Sequence, residues 1–308
     1  MTPGARPAGQ ARGRSTDEQR RLARSMWVPL ETVHAVTYFT PEARAAHEEV
    51  GLRGFWRGYF AMRAAPLGAV GPAVVVATFA GFAPTMVERA VPEVWSMATP
   101  ERALDARLAG AVDSLTVGVR QLPADADLAD AAALLGRVVA AAPVAGRALG
   151  AANAGLAWPD EPRAALWHGA TVIRELRGDG HVAVLTAEGL DGLLAHALRA
   201  AVDDSRALVQ PSRGFTDDEW ERADAELVDR GLVTAGGGLT EAGSRLVEHV
   251  AARTDARAAR GWEVLGDDET DRIRRVVEPM AAELAAGAVP YPNPVGAPAP
   301  PARDQDSA

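Results

Sequence analysis

The 308-residue chain is 48% hydrophobic and 24% charged, carries a formal net charge of −9, and has no run approaching the ~18 uninterrupted apolar residues of a membrane-crossing helix. It contains neither cysteine nor lysine, which excludes disulfides, thiolate metal sites, a cysteine nucleophile, a lysine Schiff base and a Walker-type phosphate lysine. The acidic balance also disfavours a polyanionic partner, although the distribution of charge matters more than its sum.

Residues 1–23 are mostly Gly, Pro, Arg, Ser and Thr, and up to Arg24 six arginines face only Asp17 and Glu18. Lacking the apolar stretch of a secretory signal, this segment reads as a disordered arm. Helix signals then dominate residues 24–205. Thr40 followed by Pro41 is an N-cap with proline at the first helical position, and Gly51 stops that helix. Helical periodicity covers 53–65, whereas the apolar run 73–79 fits either a buried helix or a short strand. Pro84 opens a helix to about 97, and Thr99-Pro100 opens another to about 122. Further helices are predicted at 127–141, 143–156, 162–177 and 188–203, with Asp160 as a cap, Gly178 at a left-handed stop and Asp179 capping the next short helix. This is a mainly α pattern, an alanine-rich helical bundle.

Residues 206–286 have another rhythm: a helix at 216–230, a short strand, the Gly236-Gly237-Gly238 tip, a second short strand and a helix from about 241. That order is a winged helix–turn–helix-like module. Residues 287–308, with six prolines between Pro290 and Pro301, read as a disordered Pro-rich tail. The segment DRGLVTAGGGLTEAGSRLVEHV resembles the wing region of MarR-type winged helix–turn–helix regulators. Over the whole chain, HAVTYFTPEAR, GLRGFWRGYF and LWHGATVIRELRGDGHVAVL look like the SalK-like actinobacterial winged-helix family. The resemblance implies a helical fold with a winged helix and a setting in specialised metabolism such as antibiotic biosynthesis; it carries no reaction and no catalytic residues.

The helix in the recognition position argues against DNA. It holds Asp217, Asp218, Glu219, Glu221, Asp224, Glu226 and Asp229 against Arg222 and Arg230, a balance of −5. A helix in the major groove lies between phosphate rows and needs Arg, Asn, Gln or Ser outward. Dipole complementarity explains the first three acids only.

Two groups of residues suggest a small-molecule site. In the first, Arg174 and Arg177 follow His168 on one helix and precede Asp179 and His181. Paired guanidiniums beside an imidazole suit an anion, and Asp179 next to His181 suits a general base oriented by a carboxylate. Pairing of the arginines with nearby acids is the plainer alternative. In the second, six of the chain's 16 aromatic residues fall within 38–60. Tyr38, Trp56 and Tyr59, with His34 and Arg63 as polar handles and Phe82 to close it, make a lining for a flat ligand, or simply a core. The histidines show no metal-ligand spacing, so no metal site is expected; a haem or mononuclear metal on His34, His168 or His181 is the lesser alternative, and the residues identify no cofactor. The expectation is a cytoplasmic, small-molecule-binding protein, with catalysis left open and a MarR-like ligand-responsive regulator as the alternative. The amphipathic stretch 269–286, with Ile273, Val276, Val277, Met280 and Leu284, suggests a homodimer surface.

Overall fold

The computed structural model describes residues 14–302. The residues expected to form a disordered arm fall partly outside this range, at 1–13, and partly inside the first helix. α1 (Thr16–Phe39) begins at a capping box in which Ser15 and Glu18 satisfy each other's backbone N–H groups. Arg14 ties that start to the far end of the chain, donating to Leu265 O at 2.9 Å and Thr270 Oγ1 at 3.0 Å. α2 (Pro41–Glu49) starts as its capping signal predicts, with Thr40 Oγ1 accepting from Ala43 N. α3 (Phe55–Ala64) and α4 (Pro72–Phe79) follow, so the apolar run that fitted helix or strand is a helix.

The single helix expected from Pro84 is two, α5 (Pro84–Glu88) and α6 (Val94–Met97). Pro92 lies between them, where a proline lacks the N–H and disfavours helix at the residue before it. α7 (Pro100–Gly118), α8 (Asp125–Ala141) and α9 (Ala148–Ala154) lead into α10 (Pro162–Ala187). Here the local stop signal misleads, because α10 runs through Gly178 and Gly180 for 26 residues. Its N-cap is Glu161, whose carboxylate accepts from Ala164 N, and not Asp160. Asp179 caps nothing; it is buried in mid-helix and accepts from Gly150 N at 2.8 Å.

The C-terminal part comprises α11 (Gly192–Asp203), α12 (Arg206–Arg213), α13 (Asp217–Asp229), α14 (Glu241–Ala259) and α15 (Asp267–Gly287). Among the described residues the expected wing strands reduce to one antiparallel bridge, Val233 to Leu239. The glycine of the LTEAG segment has a steric reason: a Cβ at Gly243 would lie 2.0 Å from Leu232 O. This close approach is what seats α14 against the hairpin.

Three large apolar clusters and a small one of Val139, Val172 and Leu176 organise the packing of the described residues. One joins α1, α8, α10 and α15 through Met26, Leu30, Leu135, Trp167 and Met280. A second gathers the aromatic side chains of α3 and α4 with Phe82. The third holds the winged segment together through Leu194, Leu198, Trp220, Leu227 and Val250. The clusters cross the boundary expected at 205/206: α11 packs with α12 and α13, while α15 returns to α1. Ile273, Val277, Met280 and Leu284, read as a homodimer face, are buried inside their own chain. The proline-rich segment is likewise ordered through residue 302, with Val289, Asn293 and Ala297 buried, and not a free tail from 287. No single helix among the described residues is long and apolar enough to cross a membrane.

Candidate functional site

A buried polar network links α1, α3 and α10. Arg63 Nε and Nη2 each reach a different oxygen of Glu175 at 3.0 Å, and Arg63 Nη1 donates to Tyr59 Oη at 3.2 Å. Arg174 bridges Glu175 at 2.7 Å and Glu31 at 3.1 Å, and Trp27 Nε1 donates to Glu31 at 3.1 Å. Burial alone would raise Glu175, but Arg174 and then Arg63 hold its carboxyl well below the usual carboxylate range. Beside them, His34 bonds through Nδ1 to Thr171 at 2.9 Å and through Nε2 to Tyr38 Oη at 2.8 Å, so both ring nitrogens are engaged. Burial, reinforced by Arg174, pushes the His34 imidazole far down and keeps it neutral.

This network forms one wall of a cavity of about 890 Å³. α10 supplies Arg174, Asp179 and His181, α3 supplies Tyr59 and Arg63, and α11 and α12 supply His196, Arg199 and Arg213. The segment Tyr291–Ala299 closes another side. It is pinned by Tyr291 Oη, 2.7 Å from Thr32 Oγ1, and by Pro294 O, which accepts from Arg213 Nη2 at 2.5 Å. The two groups of residues recognised separately in sequence therefore share a cavity: Tyr59, Arg63 and Phe82 from one, Arg174, Asp179 and His181 from the other.

The remaining expected residues lie elsewhere. His34 and Tyr38 line a second, smaller void. Trp56 packs edge-on against Phe82 within the aromatic cluster, and His168 is buried with the edge of Trp158 5.1 Å away. Arg177 stacks 4.5 Å from the Trp27 ring and pairs with Asp255 at 2.7 Å, the plainer outcome weighed for it. Asp179 and His181 do not meet as acid and base. Residues two apart on one helix do not share a face, and each has its own partner. Asp179 is bonded to Gly150 N, while His181 Nδ1 lies 3.0 Å from Thr254 Oγ1. The Thr254 hydroxyl already donates to Val250 O, so His181 Nδ1 is the donor and Nε2 carries the lone pair. Desolvation at the cavity wall, with Arg177 nearby, lowers His181 to about 4 although the residue stays open to solvent, and burial raises Asp179 to about 6.

In the winged segment, α12, the turn at Gly214 and α13 have the order of a helix–turn–helix. Trp220, Ala223 and Leu227 form the inner face of α13, and Asp218, Glu221, Glu226 and Asp229 are exposed on its outer side. A family model described as a helix-turn-helix family matches residues 23–290. The chain belongs to this helix-turn-helix family. Searches among curated proteins and among solved structures return no match.

As a helix-turn-helix family member, the chain carries an internal electrostatic feature that sequence reading missed. Arg213 lines the large cavity with its Cζ 4.5 Å from the Phe82 ring centroid, and its Nε has no hydrogen-bond partner. Among the described residues it pairs with no carboxylate, and burial lowers its affinity for its proton. A second arginine, Arg107, is 6% exposed and is also without a carboxylate partner among those residues. The available signal in sequence was compositional only: Arg213 sits beside Gly214 in a stretch with no distinctive motif.

Proposed function

We propose that this helix-turn-helix protein binds a compact metabolite with a flat apolar body and an anionic group, the anion seated on Arg213. The observation that supports this reading is the unpaired Arg213 on a cavity whose other wall is aromatic. A guanidinium offers planar paired donors suited to carboxylate, sulfonate or phosphate, and Tyr59, Phe79 and Phe82 offer ring faces and edges to a flat body. Arg63 and Arg174 face the same space but are neutralised by Glu175 and Glu31, and Arg24 and Arg199 pair with Asp255 and Asp203, so Arg213 is the cation left for a ligand. The Pro294 carbonyl now accepts from Arg213. An incoming anion competes with it, which makes the segment 291–299 the natural point of entry. The SalK-like resemblance supports a ligand from specialised metabolism.

The test is binding of 1-naphthoate against its neutral analogue 1-naphthamide, in the wild type and in Arg213→Met. A charge-assisted hydrogen bond contributes about 1.5–3 kcal/mol, so naphthoate should bind the variant at least tenfold more weakly while the amide is indifferent to it. Equal naphthoate binding by both proteins would remove Arg213 from the site. Mass analysis of small molecules released on denaturing freshly purified protein then identifies the natural occupant.

The second reading, a MarR-like regulator in which the cavity governs DNA binding, is supported by the helix-turn-helix family membership. The acidic outer face of α13 opposes it, and the two readings separate on whether the free protein holds duplex DNA at moderate salt.

A further inference from the structure

On the far side of the partition made by Tyr59 and Arg63 lies the smaller void, which leaves about 20 Å³ for the centre of a water-sized sphere, room for more than one heavy atom. Thr37 and Tyr38 of α1, His47 of α2 and Arg107 of α7 line it, together with two arginine–carboxylate pairs, Arg63 with Glu175 and the exposed Arg44 with Glu48. Three of its buried polar atoms have no hydrogen-bond partner: Thr37 Oγ1, His47 Nε2 and Arg107 Nε. Such orphaned atoms are rare in folded proteins, and three around a single void point to a missing occupant. Gly58 is part of the construction, because a Cβ there would lie 2.3 Å from His47 Nδ1 and would drive the ring from its seat.

Charge decides between water and an ion. Arg107 donates Nη1 to Met62 O and Nη2 to Asn153 Oδ1, both at 3.2 Å, and both partners are neutral. Its Cζ lies 5.5 Å from the Trp167 ring centroid, a weak further contact for a cation. The carboxylate nearest in influence, Glu175, is already shared by Arg63 and Arg174. Around this void three cations, Arg63, Arg107 and Arg174, thus face two carboxylates, Glu31 and Glu175, while the other buried acids, Asp179 and Asp255, are engaged by Gly150 N and Arg177. Water would satisfy the hydrogen bonds and leave the charge uncompensated, which a low-dielectric interior penalises heavily. We infer that the void bounded by Thr37, His47 and Arg107 is a structural binding site for a small monovalent anion, a halide or a carboxylate of formate size. Burial alone brings Arg107 down to about 10, the response expected of a cation without a counter-charge. This site stands apart from the large cavity and does not depend on what fills it.

The test compares melting of the full chain in sodium gluconate, whose anion is too large for the void, with chloride, bromide or formate at equal ionic strength. A saturable rise with any of the small anions supports the site: bromide indicates a halide and formate a carboxylate. A response to none of them overturns it. Arg107→Gln should abolish the rise and Thr37→Val should weaken half-saturation at least tenfold, whereas Arg213→Met should leave it intact; a full rise in Arg107→Gln overturns the proposal. Should Arg107→Gln fail to fold, anomalous diffraction from wild-type crystals grown in bromide decides the matter. A peak between Thr37, His47 and Arg107 is expected, and its absence there overturns the site.

Discussion

Arg63 and Glu175, 112 positions apart, meet as a two-pronged pair in which both guanidinium nitrogens lie 3.0 Å from a different carboxylate oxygen. The pair bolts α3 to α10 and thereby brings the aromatic cluster and the arginine-bearing helix to one cavity wall. Arg174 shares the same carboxylate, so one acid holds two buried cations.

Loss of that acid should therefore be severe. Glu175→Gln keeps the shape and hydrogen-bond capacity but strands Arg63 and Arg174 with only Glu31 between them. Removing one partner of a buried ion pair typically destabilises by about 3–5 kcal/mol. Urea unfolding of Glu175→Gln should show a loss in that range, and adding Arg63→Met should recover part of it. A loss below about 1 kcal/mol, the scale of an exposed pair, would mean that water reaches the network.

Acid should also unfold the protein earlier than an ordinary helical domain. Burial lowers His47 and His168 to about 4 and His196 to about 3, and holds His34 far below its ordinary value, in each case as the largest cause. In the unfolded chain these rings take up protons near pH 6.5. The unfolded state thus binds more protons at every pH between about 6.5 and 4, and stability falls as pH falls through that window. Asp179, raised by burial to about 6, works the other way between 6 and its ordinary value and cancels roughly one histidine. The net slope near pH 5 is on the order of 4 kcal/mol per pH unit. Urea midpoints at pH 7, 6 and 5 check this; a flat profile would show that the imidazoles are not buried neutral.

Local chemistry was legible in the sequence wherever it was self-contained. Thr40-Pro41 and Thr99-Pro100 start α2 and α7 as capping rules require, with Thr40 accepting from Ala43 N and Thr99 from Arg102 N. The start of α1 went unread, because the Ser15 to Glu18 capping box stands among Gly, Pro and Arg that give the look of an arm. The helical stop at Gly178 failed for another reason. A glycine marks a C′ position only when no packing continues the helix, and here a Cβ at Gly180 would lie 3.6 Å from Arg257 Cβ while Asp179 is drawn to Gly150. Of the site, Tyr59, Arg63 and Arg174 could be picked by type and clustering. Arg107 and Arg213 could not, because what distinguishes them is a missing counter-charge, and that depends on residues dozens of positions away. The covering segment 291–299 was hidden by its prolines, which signal lack of regular secondary structure and say nothing of whether the chain is packed.

The acidic face of α13 makes the sharpest test of whether this winged segment reads DNA. Arg206 lies 3.4 Å from Asp217 and 3.5 Å from Asp224, and Arg230 is turned toward the α10–α11 connection, donating to Gly189 O at 2.9 Å. These contacts leave Asp218, Glu221 and Asp229 on the outer surface, where each would meet phosphate repulsion. Reversing all three to arginine adds two charges apiece and takes the helix from its balance of −5 to +1. Each new phosphate contact contributes about 0.9 to the slope of log affinity against log salt. The triple variant should therefore bind arbitrary duplex at about 50 mM salt with a slope near three and lose it near 200 mM, while the wild type shows no retention under either condition. Fluorescence anisotropy with a labelled duplex measures both. If the wild type binds more tightly than the reversal variant, the carboxylates are contacting DNA bases rather than repelling its backbone, and the regulator reading takes precedence.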